Sequence, residues 1–336
     1  MRTRARLASA LAAAAALAVG ATAGVAAEVA VYWERGSYWP GTAFDDFTRT
    51  TGVKVTFPIK GEKNEGYEAI KAEGAATRAD LIITNNVANL ADLAKRRLLS
   101  QVESRTIAAN VPAYLRDPDL YWVGLTARTR AIVYSTERVK RVELSTYAAL
   151  GKSKWKGRLC LRSGTSPYNT FMLGTWIARM GESATETVVK GWLANDPHIF
   201  DGDTAQLKAI ATGRCDVGIA HTYYLARLLA NDPKFPVAVF WPDQHGAGVN
   251  VGVAGAGVTA HARHRADAVR LLEFLTSPEA QRALADANFE FPVNPRTSPH
   301  PILAAWGPFK PDQTGVALAA EHQEDGLALA QRIGYR

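Results

Sequence analysis

Near its start the chain reads Glu28-Val-Ala-Val-Tyr-Trp33, then Thr42-Ala-Phe-Asp-Asp-Phe-Thr-Arg-Thr-Thr51, and after Gly52 it continues Val53-Lys-Val-Thr-Phe57. The outer segments are Val-rich and alternate, as strands do. The middle one sets Phe44 and Phe47 on one helical face and stops at a glycine. A helix over 65–76, a strand over 79–84 and a helix over 88–99 continue the rhythm. Such alternation specifies an α/β fold with a largely parallel sheet covered by helices. It resumes from 158, with helices over 170–180 and 184–195, a strand over 217–220, and a helix over 205–212 capped by Asp203. Two lobes are therefore expected, joined by extended segments near Ala131 and Val251 that would form a hinge over a cleft. Separate strands are expected over 121–125 and 131–134.

The 336 residues are 47% hydrophobic and 21% charged, which excludes disordered and low-complexity classes. Lys+Arg 39 against Asp+Glu 32 gives a net charge of +7. Residues 1–27 carry Arg2, Arg4 and Arg6, a short apolar run and small residues before Glu28, the pattern of a cleavable signal peptide. Removing those three arginines leaves 36 basic against 32 acidic residues, or +4, with no dense basic run, which argues against a nucleic-acid partner. In an exported chain Cys160 and Cys215 are expected to pair as one disulfide, the alternative being two inert core thiols.

Hydrolase and nucleotide motifs are scarce. Gly255-Ala-Gly257-Val-Thr-Ala260 matches a dinucleotide fingerprint in letters but lacks the βαβ context, so it reads as tight strand or hinge packing. More telling are Arg162-Ser-Gly-Thr-Ser-Pro-Tyr168-Asn169 and Ala220-His221-Thr222-Tyr223-Tyr224. Each follows a strand, so its tyrosines lie at a carboxyl edge where open α/β sheets hold ligands. The Ser/Gly-rich run suits an anion. A deprotonated phenol is a hard oxygen donor that calls for a strongly charged cation, and ferric iron fits best.

These two segments, with Trp122-Val-Gly-Leu-Thr-Ala-Arg128-Thr-Arg130-Ala-Ile-Val-Tyr134, resemble the periplasmic ferric-iron-binding proteins of ABC transporters, and the likeness runs over the whole mature chain. The resemblance implies a two-lobed, Venus-flytrap solute-binding protein with two mixed, mostly parallel sheets and a hinge of crossover strands. It implies an N-terminal lobe of residues 28–127 plus 257–336 and a C-terminal lobe of 128–256. It further implies a monomer, not an enzyme, that captures Fe3+ in the periplasm and passes it to an inner-membrane permease. Tyr168, Tyr223 and Tyr224 match the family's metal ligands. Arg128 resembles the family's arginine near the cleft, where it would hold a synergistic anion such as carbonate or offset phenolate charge, and Ser163 is expected beside it on the anion side or just behind it. The family's His-Tyr pair after the first strand is replaced here by Gly36 and Ser37, with Tyr38 one residue late and Glu34 the other nearby oxygen donor. The departure, with Trp33 and Trp39 beside it, leaves open the same fold holding another small solute: an organic anion, a phosphonate or a thiamine-like molecule.

Overall fold

The computed structural model describes residues 27–36, 40–61 and 64–336. Most of the signal-peptide segment and Tyr38 lie outside them. The strands are β1 (Glu28–Glu34), β2 (Lys54–Lys60), β3 (Leu81–Thr84), β4 (Val123–Ser135), β5 (Leu159–Arg162), β6 (His198–Phe200), β7 (Val217–His221), β8 (Val237–Phe240), β9 (Asn250–Val258) and β10 (Phe291–Pro292). They run in the order β2-β1-β3-β9-β4-β7-β5-β6, with β8 and β10 also on β4. Each flank is parallel: β2-β1-β3 on one side, β7-β5-β6 on the other. Two antiparallel strands, β4 and β9, cross from one flank to the other and join the expected pair of sheets into one ladder.

The expected split of β4 into two strands is not found; it is one strand of 13 buried residues. Its middle, Thr126 to Arg130, looks too polar for a buried strand because its partners are remote in sequence. Thr126 hydrogen-bonds Glu290, Thr129 bonds Thr222 at 3.2 Å, and Arg130 faces Asp203 at 3.5 Å. Buried polar groups are tolerated where they are paired. Asp203 is likewise no cap. It is the first residue of the helix Asp203–Ala211, makes no capping hydrogen bond, and is fully buried against arginines.

Gly255 and Gly257 do serve strand packing. A Cβ at Gly255 would lie 2.9 Å from Leu90, and one at Gly257 would lie 2.8 Å from Leu99. Cys160 and Cys215 are bonded, with Cα atoms 5.8 Å apart, tying β5 to the approach of β7. The helices Val316–Glu321 and Gln323–Arg332 pack on the helix Pro167–Met180, where Gly174 and Gly326 allow backbone contact. Beyond them Tyr335, 1% exposed, donates its hydroxyl to the Arg162 carbonyl at 2.9 Å and accepts from Asn169 at 3.1 Å. The chain from 316 onward thus braces the turn leading into Tyr168. Among the described residues no helix is long and apolar enough to cross a membrane.

Candidate functional site

Two strand-to-helix junctions open on one cleft of about 670 Å³. After β5 the turn from Ser163 leads into the helix Pro167–Met180, with Pro167 in its first turn and Tyr168 following. After β7 the helix Thr222–Asn231 starts at once, and Tyr223 and Tyr224 occupy its first turn. Register across β4 sets Arg130 opposite His221 and Arg128 opposite Gly252, so Arg128 and Arg130 point to the same face.

The aromatic rings form a continuous set. Tyr168 meets His221 edge-on at 4.7 Å, His221 stacks on Tyr223 at 5.4 Å, and Tyr223 lies 4.3 Å from Tyr224. Arginines surround them: Arg162 lies 4.7 Å and Arg128 5.4 Å from the Tyr168 ring centre, and Arg227 covers Tyr223 at 4.9 Å. The three tyrosines predicted from sequence are thus brought together. Tyr168, His221 and Arg128 line the cleft itself, while Tyr223, 3% exposed, is sunk behind His221. Ser163 opens the turn, its hydroxyl 3.0 Å from that of Thr165.

Burial pushes the Tyr223 phenol well above its ordinary pKa, reinforced by Tyr168 and Tyr224 and opposed by Arg128. Burial and Tyr168 also raise Tyr224, against the pull of Arg162. Both phenols therefore stay protonated near neutral pH until something displaces the proton. His221 is held neutral by burial and by Arg130, Arg128 and Arg162.

Each flank of the site holds two arginines on one carboxylate. Glu290, fully buried, takes Arg35 at 2.6 Å, Asn288 at 2.7 Å and the Thr126 hydroxyl, with Arg128 at 3.7 Å. Burial alone would raise the Glu290 pKa, but Arg35 and Arg128 outweigh it and keep the carboxylate ionised. Asp203 sits between Arg162 at 3.1 Å and Arg130 at 3.5 Å. Each trio leaves one positive charge in excess beside the phenols.

The facing wall is built of Asn64, Asn85, Asn86 and Val87. Asn85 accepts from Arg128 through its carbonyl and from Arg35 through its side chain at 3.2 Å. Glu34, the oxygen donor weighed for that wall, is buried and turned away: it accepts the Tyr67 N–H at 2.6 Å at the start of the helix Glu65–Glu73. Among the described residues no three His, Cys, Asp or Glu side chains converge as a metal site, so the hard donors that gather here are phenols. Sequence reasoning gave no role to Asn85, Arg162, His221 or Glu290. Arg162 and His221 lie inside the two quoted segments and were within reach; Glu290 carries no local signal.

Residues 42–311 match the family of bacterial extracellular solute-binding proteins. Iron uptake protein A1 of Synechocystis is 40% identical over 277 residues, covering 80% of this chain and 77% of its own. The major ferric iron-binding protein of Neisseria meningitidis is 28% identical over 262 residues, covering 75% of this chain and 76% of its own. Among solved structures, Trichodesmium IdiA (FutA) in complex with iron and citrate ligands superposes with a TM-score of 0.86 at 35% identity, over 92% of this chain and all of that one. Ferric iron-binding protein A of Mannheimia haemolytica, in an open conformation, gives 0.84 at 30% identity, over 92% of this chain and 99% of that one.

Proposed function

This chain belongs to the bacterial extracellular solute-binding protein family, and we propose that it captures Fe3+ with tyrosinate ligands in the cleft for delivery to an inner-membrane ABC permease. It is a binding and transport protein and not an enzyme, like the iron-uptake and ferric-binding relatives it matches along most of its length. The observation that carries the metal reading is the gathering of Tyr168, Tyr223 and Tyr224 around Arg128, whose charge is felt by all three. We assign these three phenols as ligands. Tyr38, in the segment after β1, is proposed to complete the three tyrosinates as a neutral phenol donor.

Loading exchanges three phenol protons for one trivalent cation, so the site's net charge does not change. The excess from the Arg35–Glu290–Arg128 and Arg130–Asp203–Arg162 trios therefore persists in the loaded cleft. That excess calls for an anion. Carbonate or a small carboxylate beside the metal meets the need, with Arg128 offsetting phenolate charge and Ser163 as a hydroxyl donor at the turn. Our lobe assignment places residues 28–127 with the chain after 257 against 128–256, amended so that the helices from Val316 onward dock on the second lobe. We propose a monomer exported to the periplasm by cleavage of residues 1–27. An organic solute in the same cleft is the weaker reading, because the matched relatives named above carry iron in their names.

The test is optical. Phenolate bound to Fe3+ absorbs in the visible, so the purified chain should turn red to purple on Fe3+ addition. The colour should fade in the Tyr223→Phe/Tyr224→Phe variant. A wild type that stays colourless and retains no iron ends the proposal.

A further inference from the structure

His221 lines the same cleft, and neither of its ring nitrogens has a hydrogen-bond partner. The residue ends β7 and is 3% exposed, pinned edge-on by Tyr168 and stacked on Tyr223 at an interplanar angle of 21°. Nδ1 is sealed from solvent and lies 3.9 Å from Asp203 Oδ2. Nε2 is not sealed. The two nitrogens of an imidazole diverge, so a ring that turns Nδ1 toward Asp203 turns Nε2 away from it. A carboxylate behind Nδ1 favours the tautomer with its proton there and leaves the lone pair on Nε2. In a metal-bound imidazole the other nitrogen commonly donates to a carboxylate, and here Asp203 stands on that side of the ring, at 3.9 Å and so beyond hydrogen-bond distance. A histidine present only for packing would satisfy at least one nitrogen.

We propose that His221 is a further protein donor to the metal, binding through Nε2 beside Tyr168, Tyr223 and Tyr224. The inference rests on the ferric reading above. His221 and the three tyrosinates then come from the two strand-to-helix junctions on one side of the cleft. Among the described residues the facing wall offers the amides of Asn64, Asn85 and Asn86, weak partners for a hard trivalent cation compared with phenolate or imidazole.

The experiment is pulsed electron paramagnetic resonance on the full chain loaded with Fe3+. The expected result is a 14N coupling of the size given by a directly bound imidazole. It should convert to the 15N pattern when the protein is grown with 15N-histidine, an arm that needs no variant. The coupling should vanish in His221→Asn, which should still colour but bind iron at least about tenfold more weakly, the lower end of what even an outer-shell partner contributes. A coloured, iron-loaded wild type without directly bound nitrogen overturns the inference and leaves the ferric reading standing. A wild type that takes up no iron overturns both.

Discussion

Iron loading should release protons in a number that the site's phenols determine. Tyr223 and Tyr224 are raised above the ordinary phenol range, so between about pH 5 and 9 both are protonated before the metal arrives. Every phenol that binds as phenolate sheds one proton, and three ligands shed three. The apparent affinity then falls about tenfold per proton for each unit the pH drops, or about 1000-fold per unit, which is about 4 kcal/mol. The sign follows from the direction of the shifts. A raised pKa keeps this slope constant through the neutral range, whereas phenols lowered by their arginines would flatten it from neutral pH upward. The assay is a pH-stat titration in bicarbonate-free buffer, with Fe3+ supplied as its nitrilotriacetate chelate and the proton uptake of both the released chelator and its iron-bound hydroxide subtracted. About three protons per iron are expected for wild type and about two for Tyr224→Phe. Release of fewer than two by wild type, or an affinity that levels off above pH 7, would refute the tyrosinate account.

Glu290→Gln should strip the buried Arg35 and Arg128 of their shared charge partner and cost about 3–5 kcal/mol of stability, read by denaturant unfolding; a loss below 1 kcal/mol would mean that the pair is not sealed from water. Reducing the Cys160–Cys215 bridge, which closes a separation of 55 residues, should lower stability by about 4 kcal/mol in the chain-entropy estimate, seen as a shift in the melting temperature with and without reductant. Gly164→Ala would place a Cβ 2.4 Å from the ring and the carbonyl of Tyr335. The displaced Tyr335 should cost about 1–3 kcal/mol and loosen the turn before Tyr168, so thermal stability and the visible band of the loaded protein should fall together.

Much of this molecule can be read from residue order, and the exceptions share one cause. The strands β1, β3, β5 and β7 announce themselves through short Val, Ile and Leu runs followed by helices, since burial leaves few polar residues to blur the pattern, whereas the edge strand β6, three partly exposed residues, gives no such signal. The two ligand-bearing junctions are legible because a Ser/Gly turn or a Tyr-Tyr pair directly follows a strand. β4 is not, because Arg128 and Arg130 read as exposed until Asn85, Glu290 and Asp203 come to meet them across 43 to 162 positions. Asp203 was expected as a cap from its place before a helix; its burial beside two arginines gives it the role of counter-ion. His221 stood in plain view between Ala220 and Thr222, but only the fold sets Asp203 behind one nitrogen and the cleft before the other.

The central claim is that phenols from two strand-to-helix junctions hold one ferric ion. Anomalous diffraction at the iron edge, from crystals of the Fe3+-loaded chain, tests it most directly. The predicted result is a single peak per chain, within bonding distance of the hydroxyl oxygens of Tyr168, Tyr223 and Tyr224. A peak elsewhere, or one that touches fewer than two of these phenols, would contradict it.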